Sequence, residues 1–296
     1  MKFNHYKLRQ FAGNYTFIIP ALLLFAIFSI YPFYKVFELS AYSFDGISPV
    51  KEFVGLEHFK DLFVHNKVFW LSMRNAAVIT ILALVVQNTV ALLLALACDQ
   101  DIRFGNVYRV IFYIPPVLSG IVVGLIWQWI YDGNYGLLNH FLDFLRLGHI
   151  KRAWLSDGHT ALYAVAIIHM WKGFGWGFIV LLAGLQSIPR ELYEACKVDG
   201  ANAWQTFRNV TVPLMMPVFI LVSILTVLGT MQIYDIIIST TGGGPGYHTE
   251  VPISRMISEM TGSSRFGYAC AMGIVFGVVL LSISLVQIKV SKAMRK

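Results

Sequence analysis

Six apolar runs, residues 15–37, 75–97, 107–131, 161–186, 212–238 and 267–288, alternate with polar stretches along the chain. As helices, each is long enough to cross a hydrocarbon core, which takes about 20 residues, so the pattern predicts six transmembrane helices. The polar stretches differ in kind. Residues 40–72 hold turn residues (Asp45, Gly46, Pro49) followed by VGLEHFKDLF, where Leu56, Phe59, Leu62 and Phe63 recur at helical spacing between charges. That is the pattern of a short amphipathic helix on the outer surface. Residues 132–160 carry turn signals, mixed charge and one helical pattern around 137–145.

Residues 191–213, ELYEACKVDGANAWQTFRNVTVP, stand out as a charged insert between two apolar runs. Glu191, just after Pro189, suits the first turn of a helix, where a carboxylate favours the positive end of the dipole. Leu192, Ala195 and Cys196 then share one face, flanked by Glu194 and Lys197, and Asp199-Gly200 is a stop signal. Asn202 with Gln205 forms a capping-box start for a second short helix bearing Trp204, Phe207 and Val210, before Pro213 opens the next span. The expectation is a helix-turn-helix at the membrane surface, folded back on its own bundle or docked in a groove on another protein.

Polar residues inside the spans are few and therefore informative. Gln87 and Asn88 lie in the middle of the second run, where polar groups mark helix packing, the reading preferred here, or a pathway. In the third, Pro115 and Pro116 interrupt the hydrogen-bond ladder, Gly120 and Gly124 form a small-xxx-small face, and Trp127, Trp129 and Tyr131 end the run as an aromatic belt does. The fourth gathers His169, Trp171, Lys172, Gly173 and Trp176 in its outer half. Lys172 faces a water-filled cavity or snorkels to the headgroups. In the fifth, Ser223, Thr226, Thr230 and Ile233 share a face, which suits interhelical hydrogen bonds or a hydrophilic passage. TGGGPG, residues 241–246, reads as a turn, and Gly273 and Gly277 in the sixth run read as a close-packing pair.

Composition fixes the class. Hydrophobic residues make up 57% of the chain and charged ones 13%, about half the charged share of soluble domains, so this is an integral membrane protein. The basic segments (Lys2, Lys7 and Arg9; Arg103 and Arg109; Arg190, Lys197 and Arg208; Lys289, Lys292, Arg295 and Lys296) all fall on one side of a six-span topology. By the positive-inside rule that side is cytoplasmic and holds both termini. The first run reads as a retained helix, since no small-x-small cleavage site follows it. The net charge of +7 suits anionic headgroups rather than nucleic acid. Cys98, Cys196 and Cys270 have no paired spacing, and no catalytic, metal-ligating or phosphate-loop motif is present.

Glu194-Ala195-Cys196, three residues, Gly200, nine residues, then Val210-Thr211-Val212-Pro213 resembles the EAA loop of permease subunits in binding-protein-dependent ABC importers. That loop is written EAA, x3, G, x9, I-x-L-P. Cys196, Val210 and Val212 depart from it while keeping size or apolarity. FVGLEHF (53–59), YRVIFYIPPVLSGIVVGLIWQWIY (108–131), LAGLQSIP (182–189) and TGGGPG look like the carbohydrate-uptake branch, on the side of the maltose-type F and the lactose- and glycerol-3-phosphate-type A subunits.

The resemblance implies an all-α type I ABC importer permease fold in a bacterial plasma membrane. Residues 1–70 hold the first helix and an external segment, 71–290 the permease core with the insert at 187–213, and 291–296 the basic tail. It implies a second homologous permease subunit, two cytoplasmic ATPase subunits that carry ATP and magnesium, and an extracellular solute-binding protein. Glu194, Ala195, Cys196 and Gly200 then couple to the ATPase. Gly120, His169, Trp171, Lys172, Gly173, Thr226, Thr230 and Ile233 line a sugar pathway, with no catalytic residue or metal on this chain. The rival class is a secondary transporter or channel that needs no ATPase, which calls for ionisable residues deep in several spans or paired broken helices.

Overall fold

The structure, a computed structural model, describes residues 18–100 and 103–294. Lys2, Lys7, Arg9, Arg295 and Lys296 of the expected basic tails lie outside the described residues. Five helices are long and apolar enough to cross a membrane: α1 (Ile18–Ser40), α3 (Lys67–Cys98), α7 (Ala161–Gln186), α9 (Ala203–Met231) and α12 (Phe266–Met294). The pair α4 (Gly105–Val117) and α5 (Gly120–Ile130) passes the same test together but is bent by 96°. The short helices are α2 (Glu57–Val64), α6 (Leu137–Phe144), α8 (Arg190–Val198), α10 (Asp235–Thr240) and α11 (Pro252–Thr261). An antiparallel ladder of β1 (Tyr42–Ser43) and β2 (Glu52–Phe53) is the one departure from all-α structure among the described residues.

Two expected runs are corrected, the fifth at both ends. The third is not one helix: α4 ends at Val117 after Pro115 and Pro116, and Leu118 and Ser119 turn extended before α5 starts. Pro116 has no N–H for the Phe112 carbonyl, and that carbonyl abuts Gly175 so closely that any side chain there would overlap it. The fifth run stops at Met231 and restarts as α10. At its other end α9 already begins at Ala203, so the second short helix of the insert is its first turn. A wide π-turn, Phe207–Thr211, precedes Pro213 and accommodates its ring and missing donor.

The chain divides into two compact units, residues 1–65 with 256–277, and residues 66–255 with 278–296. In the first, the Gly267 N–H donates to the Phe44 carbonyl at 3.2 Å. Gly46 has φ +90° and lies against the Phe266 ring. Arg265 bridges Asp61 and Glu259 at 3.6 Å each and covers the Tyr268 ring. Leu62 of α2 is fully buried while Phe63 and Val64 are exposed, as an amphipathic segment requires. No side chain in the most apolar stretch of α1 is buried by this chain. Of the expected glycine pair, a Cβ placed at Gly273 would meet Met256 Sδ at 3.6 Å, but nothing described lies within 4 Å of one placed at Gly277.

The second unit is built round α7. Its core joins Ala91, Ala95, Phe178, Leu181, Leu185, Met215 and Val222. In lipid, packing fit rather than water expulsion holds such helices together. Small residues supply that fit: Gly177 lies near Ala91, and Gly184 near Met215 and Val218. The expected aromatic belt reduces to Trp129, which is 80% exposed, since Tyr131 is buried and its ring meets that of Trp127. Within α6, Asn139 ties down the flanking loops, donating to the Gly133 and Arg152 carbonyls and accepting from Trp154 Nε1 at 2.9 Å. The GGGP segment is a turn, with positive φ at Gly242, Gly243 and Gly246. Gly243 makes room for the Glu250 carboxylate, which accepts from Ser254 Oγ at 2.8 Å. Burial raises the Glu250 carboxyl from its ordinary value.

Candidate functional site: a polar cavity and a surface helix

A cavity of about 450 Å³ opens among α3, α7, α9 and α10, within the size range of small-molecule sites. Helical spacing places His169, Lys172, Gly173 and Trp176 of α7 on one face, and Thr226 and Gly229 of α9 on another. A π-turn at Ala83–Gln87, a feature frequent at functional sites, ends at Gln87. Its side chain is 7% exposed, and its Oε1 has no hydrogen-bond partner among the described residues. Gly173 brings it in: a Cβ there would stand 2.7 Å from Gln87 Oε1. Gln232 and Ile233, in the break after α9, and Asp235 at the start of α10 complete the polar wall.

Asp235 is pinned. Its Oδ1 accepts from the Ile236 N–H at 2.9 Å, and Gly120 sits so close behind that a methyl group there would overlap the carboxylate. Gly124 makes the same room for Ser239, and Gln128 Nε2 donates to the Thr240 carbonyl at 2.8 Å. The small-xxx-small face expected on α5 is thus the seat of α10. On the far wall, Thr226 Oγ1 contacts Asn88 Oδ1 at 3.0 Å. Of the two adjacent amides, Asn88 packs and Gln87 faces the cavity.

Of the expected pathway residues, His169, Lys172, Gly173, Thr226 and Ile233 meet in this cavity. Three do not line it. Gly120 lies behind Asp235, Trp171 stacks edge-on with Trp127 at 5.7 Å, and Thr230 is 1% exposed with its hydroxyl 2.8 Å from that of Thr80. Sequence reasoning left out Gln87, Trp176, Gln232 and Asp235. Each carried a signal, as a polar or amphipathic group interrupting or ending an apolar run.

The insert is set by local chemistry. α8 follows Pro189 and ends in a Schellman motif: Gly200, at φ +74°, donates to the Lys197 carbonyl, and the Ala201 N–H donates to the Cys196 carbonyl. The capping box is present, with the Asn202 N–H donating to Gln205 Oε1 at 2.8 Å and the Gln205 N–H to Asn202 Oδ1 at 2.9 Å. The expected apolar face is rotated. Tyr193 and Cys196 turn inward, Tyr193 contacting Thr211 Oγ1 at 3.2 Å and packing on the α7 core. Leu192, Glu194 and Ala195 are exposed, and Val198 is 88% exposed. No side chain lies within 4 Å of the place a Gly200 Cβ would take. A short helix with aliphatic residues facing outward, fixed at both ends, presents a preformed apolar surface of the kind that helix-in-groove docking uses.

Residues 87–296 match the family described as the inner membrane component of binding-protein-dependent transport systems. Over 272 residues the chain is 32% identical to a probable ABC transporter permease protein of Pyrococcus horikoshii, covering 92% of this chain and 91% of that one. It is 31% identical over 289 residues to the trehalose/maltose transport system permease protein MalF of Thermococcus litoralis, covering 98% and 97%. Its fold matches, with a TM-score of 0.85, 23% identity and 98% of each chain covered, a bacterial ABC transporter involved in the import of the acidic polysaccharide alginate.

Proposed function

The chain belongs to the family of inner membrane components of binding-protein-dependent transport systems, and from that premise we propose that it imports a saccharide through the cavity at His169, Lys172 and Thr226. It is a multi-pass membrane transport subunit with an all-α ABC importer permease fold. The observation that carries the saccharide reading is the lining itself. An amide with a free buried oxygen (Gln87), a second amide (Gln232), a hydroxyl (Thr226) and an indole (Trp176) converge on one space. A sugar offers hydroxyls that both donate and accept, and flat C–H faces that suit an aromatic ring. The relative named for trehalose and maltose supports the same class.

In this reading a solute-binding protein on the outer side delivers the sugar to a space completed by a second homologous permease subunit. Two ATPase subunits bind on the cytoplasmic side, where both termini lie, and carry ATP and magnesium. Each receives a coupling helix, here α8: Glu194 gives a charge contact, Ala195 allows close approach, and Gly200 sets the bend, while the inward Cys196 seats the helix on its own bundle. Closure of the ATPases on ATP moves α8 as a rigid body. Because α8 is tied through Tyr193 to Thr211 in the first turns of α9, that motion reaches the Thr226 wall of the cavity along one continuous helix. The test is uptake of labelled oligosaccharide by vesicles bearing the assembled complex. Uptake that needs binding protein and ATP on the α8 side supports the reading, whereas uptake driven by an ion gradient without ATP sinks it.

A further inference from the structure

The cavity brings two opposite charges to one ligand space. Lys172 and Asp235 both line it, and among the described residues neither forms an ion pair. The remaining titratable lining group is His169; while its imidazole is neutral, the formal charges of the wall cancel. The two charges differ in freedom. Lys172 ends a flexible four-carbon stem. Asp235 is fixed between the Ile236 N–H at 2.9 Å and the Gly120 backbone, which leaves its carboxylate no space to retreat.

We propose that Asp235 is a specificity-determining residue that makes the cavity select against anionic saccharides, offsetting the attraction Lys172 alone would give them. This rests on the saccharide reading of the same cavity. In a space of low dielectric, charge–charge terms fall slowly with distance, so a uronate or phosphate group gains from Lys172 and loses to Asp235 wherever in the cavity it sits. A neutral glycan satisfies both: its hydroxyls donate to the carboxylate and accept from the ammonium, so neither charge stays unsatisfied. Selection of this kind works through the repelled competitor as much as through the accepted ligand. It gives Gly120 a reason as well, since the absence of a side chain there is what seats the carboxylate.

The test uses the full chain, purified with the subunits it assembles with and placed in lipid nanodiscs. It is titrated with neutral trisaccharides (maltotriose, mannotriose) and with uronic-acid trisaccharides (trigalacturonate, trimannuronate). Binding is read from tryptophan fluorescence, with Trp176→Phe as the control for cavity occupancy. Asp235→Asn keeps the Oδ1 that accepts from Ile236 and the fit against Gly120. The expected result is that a neutral trisaccharide binds at least about tenfold tighter than its uronate counterpart. Asp235→Asn should tighten the uronate by a similar factor with little change for the neutral sugar, and adding Lys172→Met should remove the gain. Uronate binding to the unmodified chain as tight as neutral binding, or no gain for uronate in Asp235→Asn, overturns the inference and leaves the saccharide reading standing. If no member of either set gives a signal that Trp176→Phe abolishes, the saccharide reading fails and the inference falls with it.

Discussion

The surface helix α8 and the cavity at Lys172 are two candidate functional regions made in opposite ways. α8 is local. Pro189, Gly200, Asn202 and Gln205 define it within 17 residues, through bonds no longer than the turn that contains them, and Leu192, Glu194, Ala195 and Val198 are exposed. The cavity is non-local. Gln87, Lys172, Thr226 and Asp235 come from four helices, and three of them are held by a neighbour far off in sequence: Gln87 by Gly173, Asp235 by Gly120, Thr226 by Asn88. In the proposed reading a docking element has to keep its shape whatever the bundle does, so local bonds suit it, whereas a solute site has to change with the bundle, which suits assembly from separate helices.

The largest effect expected from this contrast is at Gly200. Valine there must adopt φ near +74°, a left-handed conformation that costs about 1–2 kcal/mol, and the chain leaves the Schellman geometry instead. Gly200→Val should insert in the membrane normally and bind solute normally, yet bring solute-stimulated ATP hydrolysis to background; stimulation within twofold of the unmodified complex breaks the contrast. Next is Gly173→Leu, which places a side chain against Gln87 and fills the cavity. Uptake should fall to a small fraction while ATP hydrolysis without solute persists, so loss of both would mean that the cavity is not separable from the drive.

Smaller effects test the supporting contacts. Thr230→Val removes the bond to Thr80 and should cost about 1 kcal/mol, seen as a lowered melting temperature in detergent with uptake per folded molecule retained. A selective loss of uptake would instead put Thr230 back in the pathway. Asn202→Ala opens the capping box, worth about 1 kcal/mol. Amide exchange should quicken at residues 203–205, with coupling reduced several-fold at most.

What was legible in the sequence follows the same division. The spans, the α2 and α6 helices, the TGGGPG turn, the stop at Gly200 and the Asn202 cap rest on periodicity, turn chemistry and capping, all of which act over a few residues. The rotation of the α8 face was hidden because Tyr193 turns inward to meet Thr211 and the α7 core, a tertiary choice. The bend after Val117 was announced by Pro115 and Pro116, but its angle depends on where α5 finds a seat, on Asp235 and Ser239 of α10. The break at residues 232–234 had no glycine or proline to mark it. Gln87 and Asn88 carry the same kind of side chain one residue apart; only the wide turn at Ala83–Gln87 and the neighbour at Gly173 decide which of them reaches the cavity.

The measurement closest to the central claim uses Ala195, which is exposed. In the assembled complex with its binding protein, Ala195→Arg should leave the melting temperature of the chain unchanged and abolish solute-stimulated ATP hydrolysis, because the added bulk meets only a partner. Full stimulation in Ala195→Arg would mean that α8 docks no ATPase and that the drive for transport enters elsewhere.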